Sequence, residues 1–329
     1  MSRIEECLAE YRGWCLKLGI SSVADANEII KNGGTDRLIN ISEAWQAQKI
    51  SEIAQKIKES ISRKKIILVS GPSSSGKTSF SRRLQLHLEV LGIHAVPISL
   101  DDYYIAIPDM PLDDEGKPDF ESPESIDYKR FNADISALAE GKTAYLPKFD
   151  FDSKERIPNG REIKLKDSEV IIAEGIHALN PKFACGIPDS GKYRIYCSAL
   201  TALLSNDGVK IKSRTTRLIR RLIRDYYFRD SSCDFTFSLW PNQERGTQKY
   251  IFPYTDTADI IFNSSLLYEF GVYHRYLDVV FKDVKADNPN IGMINELREL
   301  TGAFEPIDRE RTPHWSLIRE FVGGSTLDI

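Results

Sequence analysis

The chain has 329 residues, of which 41% are hydrophobic and 28% charged, an ordinary composition for a globular protein. The net charge of −4 supplies no basic field, which argues against a nucleic acid as the main partner. No stretch approaches the roughly 20 apolar residues of a membrane span, and the charged N-terminus lacks the apolar core of a signal peptide. We therefore expect a cytoplasmic protein with no membrane partner.

The first 62 residues have a helical and polar pattern. An apolar face around Trp14 predicts one helix, and a stripe around Trp45 predicts another that begins at Ser42, after a break at Asn32-Gly33-Gly34. Nothing in this region carries chemistry, so we expect residues 1–62 to form a separate helical segment for packing or oligomerisation. The two tryptophans fit either a core or the interface of a homo-oligomer, and the sequence leaves both open.

A glycine-rich motif, GPSSSGKT, lies between an apolar run that predicts a buried strand and a helix with Phe80 and Leu84 at helical spacing. Such a loop presents its backbone N–H groups to a phosphate, and the following helix adds its positive dipole end. Lys77 would bring a charge to the β- and γ-phosphates, and the Thr78 hydroxyl would bind Mg²⁺. The predicted nucleotide-binding residues are Gly71, Ser73, Ser74, Ser75, Gly76, Lys77 and Thr78.

From Lys65 onward, strand and helix patterns alternate, which predicts an α/β fold with a parallel sheet flanked by helices, of the P-loop NTPase type. The predicted strands are Lys65–Ser70, His94–Leu100, Glu169–Ala173, Tyr193–Cys197 and Asp259–Phe262. The predicted helices between them cover residues 78–91, 127–140, 213–228 and 267–282. In such sheets the ligand binds at the carboxyl ends of the strands.

Three long polar stretches interrupt this pattern, over residues 105–123, 142–166 and 230–254. Long loops in a compact domain usually form lids or binding loops. We expect a main domain over residues 63–285 with a lid at about 229–254, followed by a C-terminal helical extension over residues 286–329.

Two carboxylates follow predicted strands. Asp101 comes directly after the second strand, where it would face the γ-phosphate, accept the proton of an attacking hydroxyl and help to hold the metal. Asp102 points to the opposite side, and a structural role is the alternative for it. Glu174 ends a buried strand at the position of a Walker-B acid, which binds Mg²⁺ directly or through water.

A strongly basic helix precedes the predicted lid. Its arginines are at positions 214, 217, 220, 221, 224 and 229. Beside a triphosphate site, planar guanidinium groups would clamp phosphates and substrate oxygens, and Arg217, Arg221 and Arg224 share one face. Arg229 stands where the lid begins, so lid closure would bring it to the leaving group.

Taken in order, these motifs resemble the uridine/cytidine kinase and phosphoribulokinase family over residues 65–265. The motifs that carry the resemblance are GPSSSGKT, LDDYY, FESPESIDY, LPKFDF, IIAEGIH, RLIRRLIRD and ADIIFNS. The chain is most similar to a uridine kinase-like branch in which a segment similar to the N-terminal region of threonyl-tRNA synthetase precedes the kinase. The stretch 316–325 near the C-terminus resembles that branch as well.

The resemblance implies roles for matching positions. Asp101 would be the base that activates a nucleoside 5′-hydroxyl, with Lys77 and Arg229 as catalytic partners. The residues implied in substrate binding are Tyr104, Glu121, Phe149, Phe151, Lys154, Arg156, Arg221 and Arg224. The metal-binding positions would be Thr78, Glu174 and Asp101.

The sequence departs from the family at several of these positions. Glu121 stands where the family usually has Asp, and Phe149 where uridine kinases usually have Tyr. Lys154 or Arg156 replaces a hairpin histidine that reads the pyrimidine edge, and Lys only donates hydrogen bonds whereas His can also accept them. Ser231 replaces a second lid arginine. These differences leave the identity of the base open.

The leading hypothesis is therefore a kinase that uses ATP, or GTP as an alternative, with Mg²⁺ to phosphorylate uridine or cytidine. A second hypothesis keeps the chemistry and changes the acceptor to another nucleoside, ribulose phosphate, pantothenate or glycerate. A third, of another class, is a nucleotide-dependent regulatory or RNA-associated protein. The intact set of base, lysine, threonine and glutamate favours the enzyme.

Overall fold

A computed structural model describes residues 2–150, 155–166 and 168–329. At its centre lies a parallel sheet in the order β2-β5-β1-β6-β7. Its strands are β1 (Ile66–Ser70), β2 (His94–Ser99), β5 (Glu169–Glu174), β6 (Lys192–Ser198) and β7 (Ile260–Asn263). All five predicted strands are confirmed to within one residue at each end, because each is a short apolar run bounded by polar residues or glycine.

Helices cover the sheet on both faces, as the sequence predicts. The helices that connect or follow its strands are α4 (Lys77–Val90), α5 (Tyr128–Ala139), α6 (Ser213–Phe228) and α8 (Glu269–Val280). The register of the sheet aligns its functional edge. Val69 of β1 pairs with Glu174 of β5, and Ser99 of β2 pairs with the same glutamate. The segments that follow β1, β2 and β5 therefore emerge side by side.

The N-terminal region contains three helices rather than two: α1 (Arg3–Lys17), α2 (Val23–Lys31) and α3 (Thr35–Ser60). The prediction that a helix begins at Ser42 is wrong, because α3 begins directly after Gly34 and runs through that position. The unpredicted α2 is a short helix stabilised by a capping box between Ser22 and Asp25.

These helices share one cluster of buried hydrophobic residues with β1, β6 and β7. Arg3 donates to the Asp259 carbonyl at 2.6 Å, and the Tyr11 hydroxyl donates to the Ser265 carbonyl at 3.4 Å. Trp14 and Trp45 stack with ring centroids 4.6 Å apart and pack partly buried against this cluster. The first 60 residues thus contribute to the core, while a domain boundary at residue 62 stays a prediction.

The predicted β-like pieces of residues 142–166 form an antiparallel hairpin, β3 (Ala144–Asp150) and β4 (Glu155–Ile163). Its register shifts between Leu146 and Lys148, and Phe149 lies opposite Arg156.

Residues 230–254 are not the long loop that the sequence pattern indicates. They contain α7 (Cys233–Gly246), followed by a π-helical turn (Thr247–Ile251) and a 3₁₀ turn (Phe252–Thr257). The Ser232 hydroxyl caps α7 by accepting the Phe235 N–H at 3.2 Å, and Phe237 and Trp240 are buried. A lid function for this region stays a prediction.

The C-terminal extension contains α9 (Ile291–Gly302) and the single turn α10 (Arg319–Val322). We call residues 309–324 the C-terminal segment. Leu317, Ile318 and Phe321 in it are fully buried. The Arg319 side chain donates to four carbonyls of the same segment, those of Arg309, Thr312, Pro313 and Gly323. Within the described residues, no helix has both the length and the apolar character that crossing a bilayer would need.

Candidate active site

The glycine motif forms a tight loop between β1 and α4. A Cβ atom on Gly71 would lie 2.2 Å from the Cys197 carbonyl oxygen of β6, so only glycine fits this close approach. Gly76 has φ +86, a conformation that glycine adopts without strain, and it forms the N-cap of α4. The Ser75 N–H closes the loop on the Pro72 carbonyl at 3.2 Å.

The N-terminus of α4 is built to receive an anion. The first intrahelical hydrogen bond runs from the Phe80 N–H to the Gly76 carbonyl, so the N–H groups of residues 77–79 have no partner within the helix. The buried Lys77 ammonium donates to the Pro72 carbonyl at 3.2 Å. The hydroxyls of Ser74 and Ser75 are buried, and neither has a hydrogen-bond partner among the residues described. Buried groups without partners beside a lysine fit a bound phosphate.

Asp101 and Glu174 lie at the same edge of the sheet, at the ends of β2 and β5. The Ser99 hydroxyl donates to the Glu174 carboxylate at 3.3 Å. Burial raises the pKa of Asp101, while the positive charges of Lys77, Arg229 and Arg224 lower it by a smaller amount. Burial also raises the pKa of Glu174 to about 7, opposed by Lys77 and reinforced by Asp101 and Glu320. Because the charge of Asp101 adds to the cost of ionising Glu174, a cation bound at this edge would favour both carboxylates in their charged form.

Asp102 follows Asp101 at the end of β2 and contacts the hairpin. Its carboxylate accepts the Phe149 N–H at 3.3 Å and so ties the hairpin to β2. Asp102 also lines a cavity of about 290 Å³, together with Thr78 and Glu174.

The side chains predicted to hold Mg²⁺ fit a hard cation. Thr78 and Glu174 offer a hydroxyl and a carboxylate to one cavity, with Asp101 on the neighbouring strand end. Across the described ranges, no group of three or more His, Cys, Asp or Glu residues forms a complete metal site. This donor set suits Mg²⁺, which keeps several waters and binds one or two carboxylates plus substrate phosphates.

One buried carboxylate, Asp225, gathers three of the basic residues. It lies 3.0 Å from Arg221, 2.8 Å from Arg224 and 3.7 Å from Arg229. Arg221 also donates to the Ser73 hydroxyl at 3.1 Å, which links α6 directly to the phosphate loop, and burial lowers its pKa to about 10. Arg229 ends the helix with 57% of its side chain exposed.

Arg220, which the sequence did not single out, supports the phosphate loop through a hydrogen bond to its backbone. Its fully buried guanidinium lies 2.7 Å from Glu269 and donates to Ser264 and, at 3.5 Å, to the Ser74 carbonyl. Arg217 does not face the loop with Arg221, because it is paired with Glu244 at 2.5 Å and lies under the Trp240 ring.

The predicted residues Tyr104, Glu121 and Phe149 lie near one another, and the charges of Asp101 and Glu121 both act on Tyr104. The rings of Tyr104 and Phe149 contact edge to face with centroids 5.8 Å apart. Burial raises the pKa of Glu121 to about 7, opposed by Arg221. We call this group the acceptor side, and the phosphate loop with the start of α4 the phosphate side.

Helix α7 completes the acceptor side with residues that the sequence did not reveal. A Cβ atom on Gly246 would lie 2.4 Å from Glu121 Cβ, so only glycine allows this contact. Gln243 Oε1 is buried with no partner within the described structure. Gln243 lies in a stretch predicted as a loop, and nothing in the pattern marked it.

His177 follows β5, and in the described part of the chain neither of its ring nitrogens has a partner. Its ring stacks on Phe183 and contacts the edge of Tyr250. Burial lowers the pKa of His177 to about 4, so the ring stays neutral. Its place in the motif IIAEGIH was the available signal.

Arg156, another predicted substrate residue, is not brought into this group. The Arg156 guanidinium pairs with Asp127, the N-cap of α5, at 2.9 Å. Phe151 and Lys154 lie outside the described residues.

Comparison with known proteins gives a consistent pattern. The model of the family described as "Phosphoribulokinase / Uridine kinase family" matches residues 66–266. A uridine kinase of Chloroflexus aurantiacus is 33% identical over 112 residues, 34% of this chain and 51% of that protein. A uridine kinase of Macrococcus caseolyticus is 26% identical over 202 residues, 61% of this chain and 88% of that protein.

This chain spans about half the length of the uridine kinases of Halobacterium salinarum and Chloroflexus aurantiacus. Among solved structures, a D-glycerate 3-kinase from Cryptococcus neoformans aligns with a TM-score of 0.43 and 14% identity, over 62% of this chain and 88% of that one.

Proposed function

Because the chain belongs to the phosphoribulokinase / uridine kinase family, we propose that it is an ATP-dependent phosphotransferase that phosphorylates the 5′-hydroxyl of uridine or cytidine. The observation that carries this proposal is the position of Asp101, a half-buried carboxylate within electrostatic range of both Lys77 of the phosphate side and Tyr104 of the acceptor side. The names of the related uridine kinases support the choice of acceptor.

The phosphate side would act by positioning and charge neutralisation. The N–H groups of the loop and the Lys77 ammonium bind the β- and γ-phosphates of ATP, and Arg229 approaches the leaving oxygen from the end of α6. Thr78, Glu174 and Asp101 would hold Mg²⁺, which supplies further neutralisation of the phosphate charge. Arg221 keeps Ser73 in place, and Asp225 fixes the orientation of Arg221 and Arg224.

The acceptor side would orient the nucleoside. Tyr104 and Phe149 would wall the flat base, and the Glu121 carboxylate would accept hydrogen bonds from the ribose hydroxyls. Asp101 would take the proton of the nucleoside 5′-hydroxyl while the oxygen of that hydroxyl forms a bond to the γ-phosphorus. The bond from that phosphorus to the bridging oxygen breaks, which leaves ADP.

An acceptor that already bears a phosphate is the weaker alternative. It would need unpaired cations near the acceptor side, and Arg156, which lies outside this group, is paired with Asp127. A neutral acceptor therefore fits the described residues better.

The test is ADP release with MgATP over a panel of uridine, cytidine, purine nucleosides, thymidine, ribulose 5-phosphate and pantothenate. Turnover on uridine or cytidine should fall about 10²–10⁴-fold in Asp101→Asn, because the base is lost, whereas MgADP binding should persist. Asp109→Asn, an exposed carboxylate of the same loop, is the control and should keep full turnover.

Turnover confined to another acceptor would refute the pyrimidine assignment and keep the chemistry. Nucleotide binding with no turnover on any acceptor would refute the kinase proposal and favour a nucleotide-dependent regulatory protein.

A further inference from the structure

The C-terminal segment carries a carboxylate back to the phosphate side. Glu320 lies in α10, beyond the region that the family model matches. Its Oε2 accepts the backbone N–H of Ser79 at 3.2 Å and the Ser79 hydroxyl at 2.7 Å. A residue 241 positions along the chain thus contacts the first turn of α4.

The Ser79 N–H, which donates to Glu320, is also a donor that a nucleotide phosphate would bind. Residues 77–79 present the three N–H groups of α4 that have no partner within the helix. A phosphate chain lying along the helix N-terminus would take these donors together. In the structure the third of them already binds a negatively charged oxygen.

The backbone that carries Glu320 is firmly held. Leu317 and Phe321 on either side are fully buried, and Arg319 donates to four carbonyls of the segment. Leu317 packs so close to Gly76 that a Cβ atom there would lie 2.9 Å from its side chain. The half-buried Glu320 side chain can therefore move by rotation, while α10 stays in place.

A second position is available for the displaced carboxylate. Burial and Arg224 lower the pKa of Arg229, whereas Asp225, Asp101 and, least of these, Glu320 raise it. The Glu320 carboxylate is therefore within electrostatic range of Arg229. Arg229 is only loosely paired, 3.7 Å from Asp225, and more than half exposed. Its guanidinium would hold the displaced Glu320 carboxylate while a nucleotide binds, and would release it on approaching the leaving oxygen.

We propose that Glu320 occupies, in the nucleotide-free protein, the place of a nucleotide phosphate at the Ser79 N–H, so that nucleotide binding must displace it. The inference rests on the proposed function in one respect, that the phosphate side binds a nucleotide. Glu320 is thus an intramolecular competitor of the phosphate chain. It lowers affinity for any ligand that places a phosphate on the start of α4.

The test is the Kd of two ligands, MgADP and Mg-pyrophosphate, measured by calorimetry on the full chain. Glu320→Gln and Glu320→Ala should each bind both ligands about tenfold more tightly than the wild type, since a charged hydrogen bond no longer has to be broken. Pyrophosphate separates competition with phosphate from a contact with the nucleoside part.

The matched control is Asp328→Asn. This substitution removes the charge of an exposed carboxylate that pairs with Arg82 of α4 at 3.3 Å. It should leave both Kd values unchanged. Lys77→Ala should abolish binding of both ligands, which identifies the phosphate side as the place of binding.

Unchanged or weaker binding by Glu320→Gln would overturn the inference, and weaker binding would make Glu320 a supporting cap of α4. If Glu320→Gln does not fold, Glu320→Asp keeps the charge but withdraws it by one methylene, and it should also tighten binding.

These measurements need no acceptor and no turnover. Binding without the expected tightening refutes the competition alone. Failure of both ligands to bind wild type and variants refutes the nucleotide site itself, and the competition with it.

Discussion

The phosphate side and the acceptor side of the site are built in different ways. The phosphate side uses backbone N–H groups from one continuous stretch, held by glycine contacts and by Arg220 beneath. The acceptor side uses side chains from four separated elements, among them Tyr104, Glu121, Phe149 and Gln243. A backbone site tolerates little change, whereas a site assembled from side chains can change its ligand by substitution.

The sharpest test of this contrast is Lys77→Ala. Because Lys77 would neutralise phosphate charge whatever the acceptor, kcat/KM should fall at least about 10³-fold for every acceptor that the enzyme uses. Steady-state kinetics on the two best acceptors measure this. Lys117→Ala, an exposed lysine before Glu121, should have no effect. A loss confined to one acceptor would contradict the proposed division.

Arg220→Met tests the support beneath the loop. It leaves the Glu269 carboxylate buried without its partner, so the free energy of unfolding should fall by about 3–5 kcal/mol. Urea unfolding measures the change. Arg275→Met, in an exposed pair with Asp308, should change stability by less than about 1 kcal/mol. Equal effects of the two variants would show that Arg220 adds no special support.

Glu121→Gln should affect the acceptor side alone. If Glu121 binds ribose hydroxyls, loss of its charge should raise the KM of the nucleoside by about 10–100-fold. The Kd of MgADP should stay unchanged. The control is Glu124→Gln, in the same loop but paired with Lys182 at the surface. A weakened MgADP complex would mean that the two sides are not separable.

Glu174→Gln should make the protein more stable while it removes the proposed metal carboxylate. The folded-state pKa of about 7 lies above the ordinary value of 4.5, so the folded chain keeps a proton that the unfolded chain releases between these pH values. This group's contribution to stability therefore falls as pH rises through that window and stays low above it.

At pH 8, with a chelator present, Glu174→Gln should raise the free energy of unfolding by about 1–2 kcal/mol and flatten its pH dependence. The measurement is urea unfolding at several pH values. Glu89→Gln, an exposed control, should keep the wild-type slope. A destabilised Glu174→Gln would show that the carboxylate is favourably paired rather than buried at a cost.

The sequence predicted the strands and the phosphate side well because both are local. A short apolar run followed by GPSSSGKT specifies strand, loop and helix within a few residues, without help from distant parts of the chain. Asp101 and Glu174 could be predicted for the same reason, since a residue that ends a parallel strand lies at the functional edge.

What could not be predicted depends on contacts between distant segments. Phe237 and Trp240 are too sparse an apolar stripe to indicate α7, and Gly246 and Pro253 in a polar stretch indicated a mobile loop. Arg220 could not be told from Arg217 or Arg221 by spacing alone, because only packing decides which guanidinium meets Glu269. Nothing local in the sequence connects Glu320 with Ser79.

The docking of α10 on α4 has a consequence for synthesis of the chain. The ribosome completes Ser79 long before it reaches Glu320, 241 residues later, and the side chain of Leu317 reaches Gly76 just as late. A nascent chain would therefore expose an uncovered phosphate loop throughout most of translation. Because residues near the C-terminus cover this loop, the phosphate side reaches its final form near the end of translation rather than as each strand emerges.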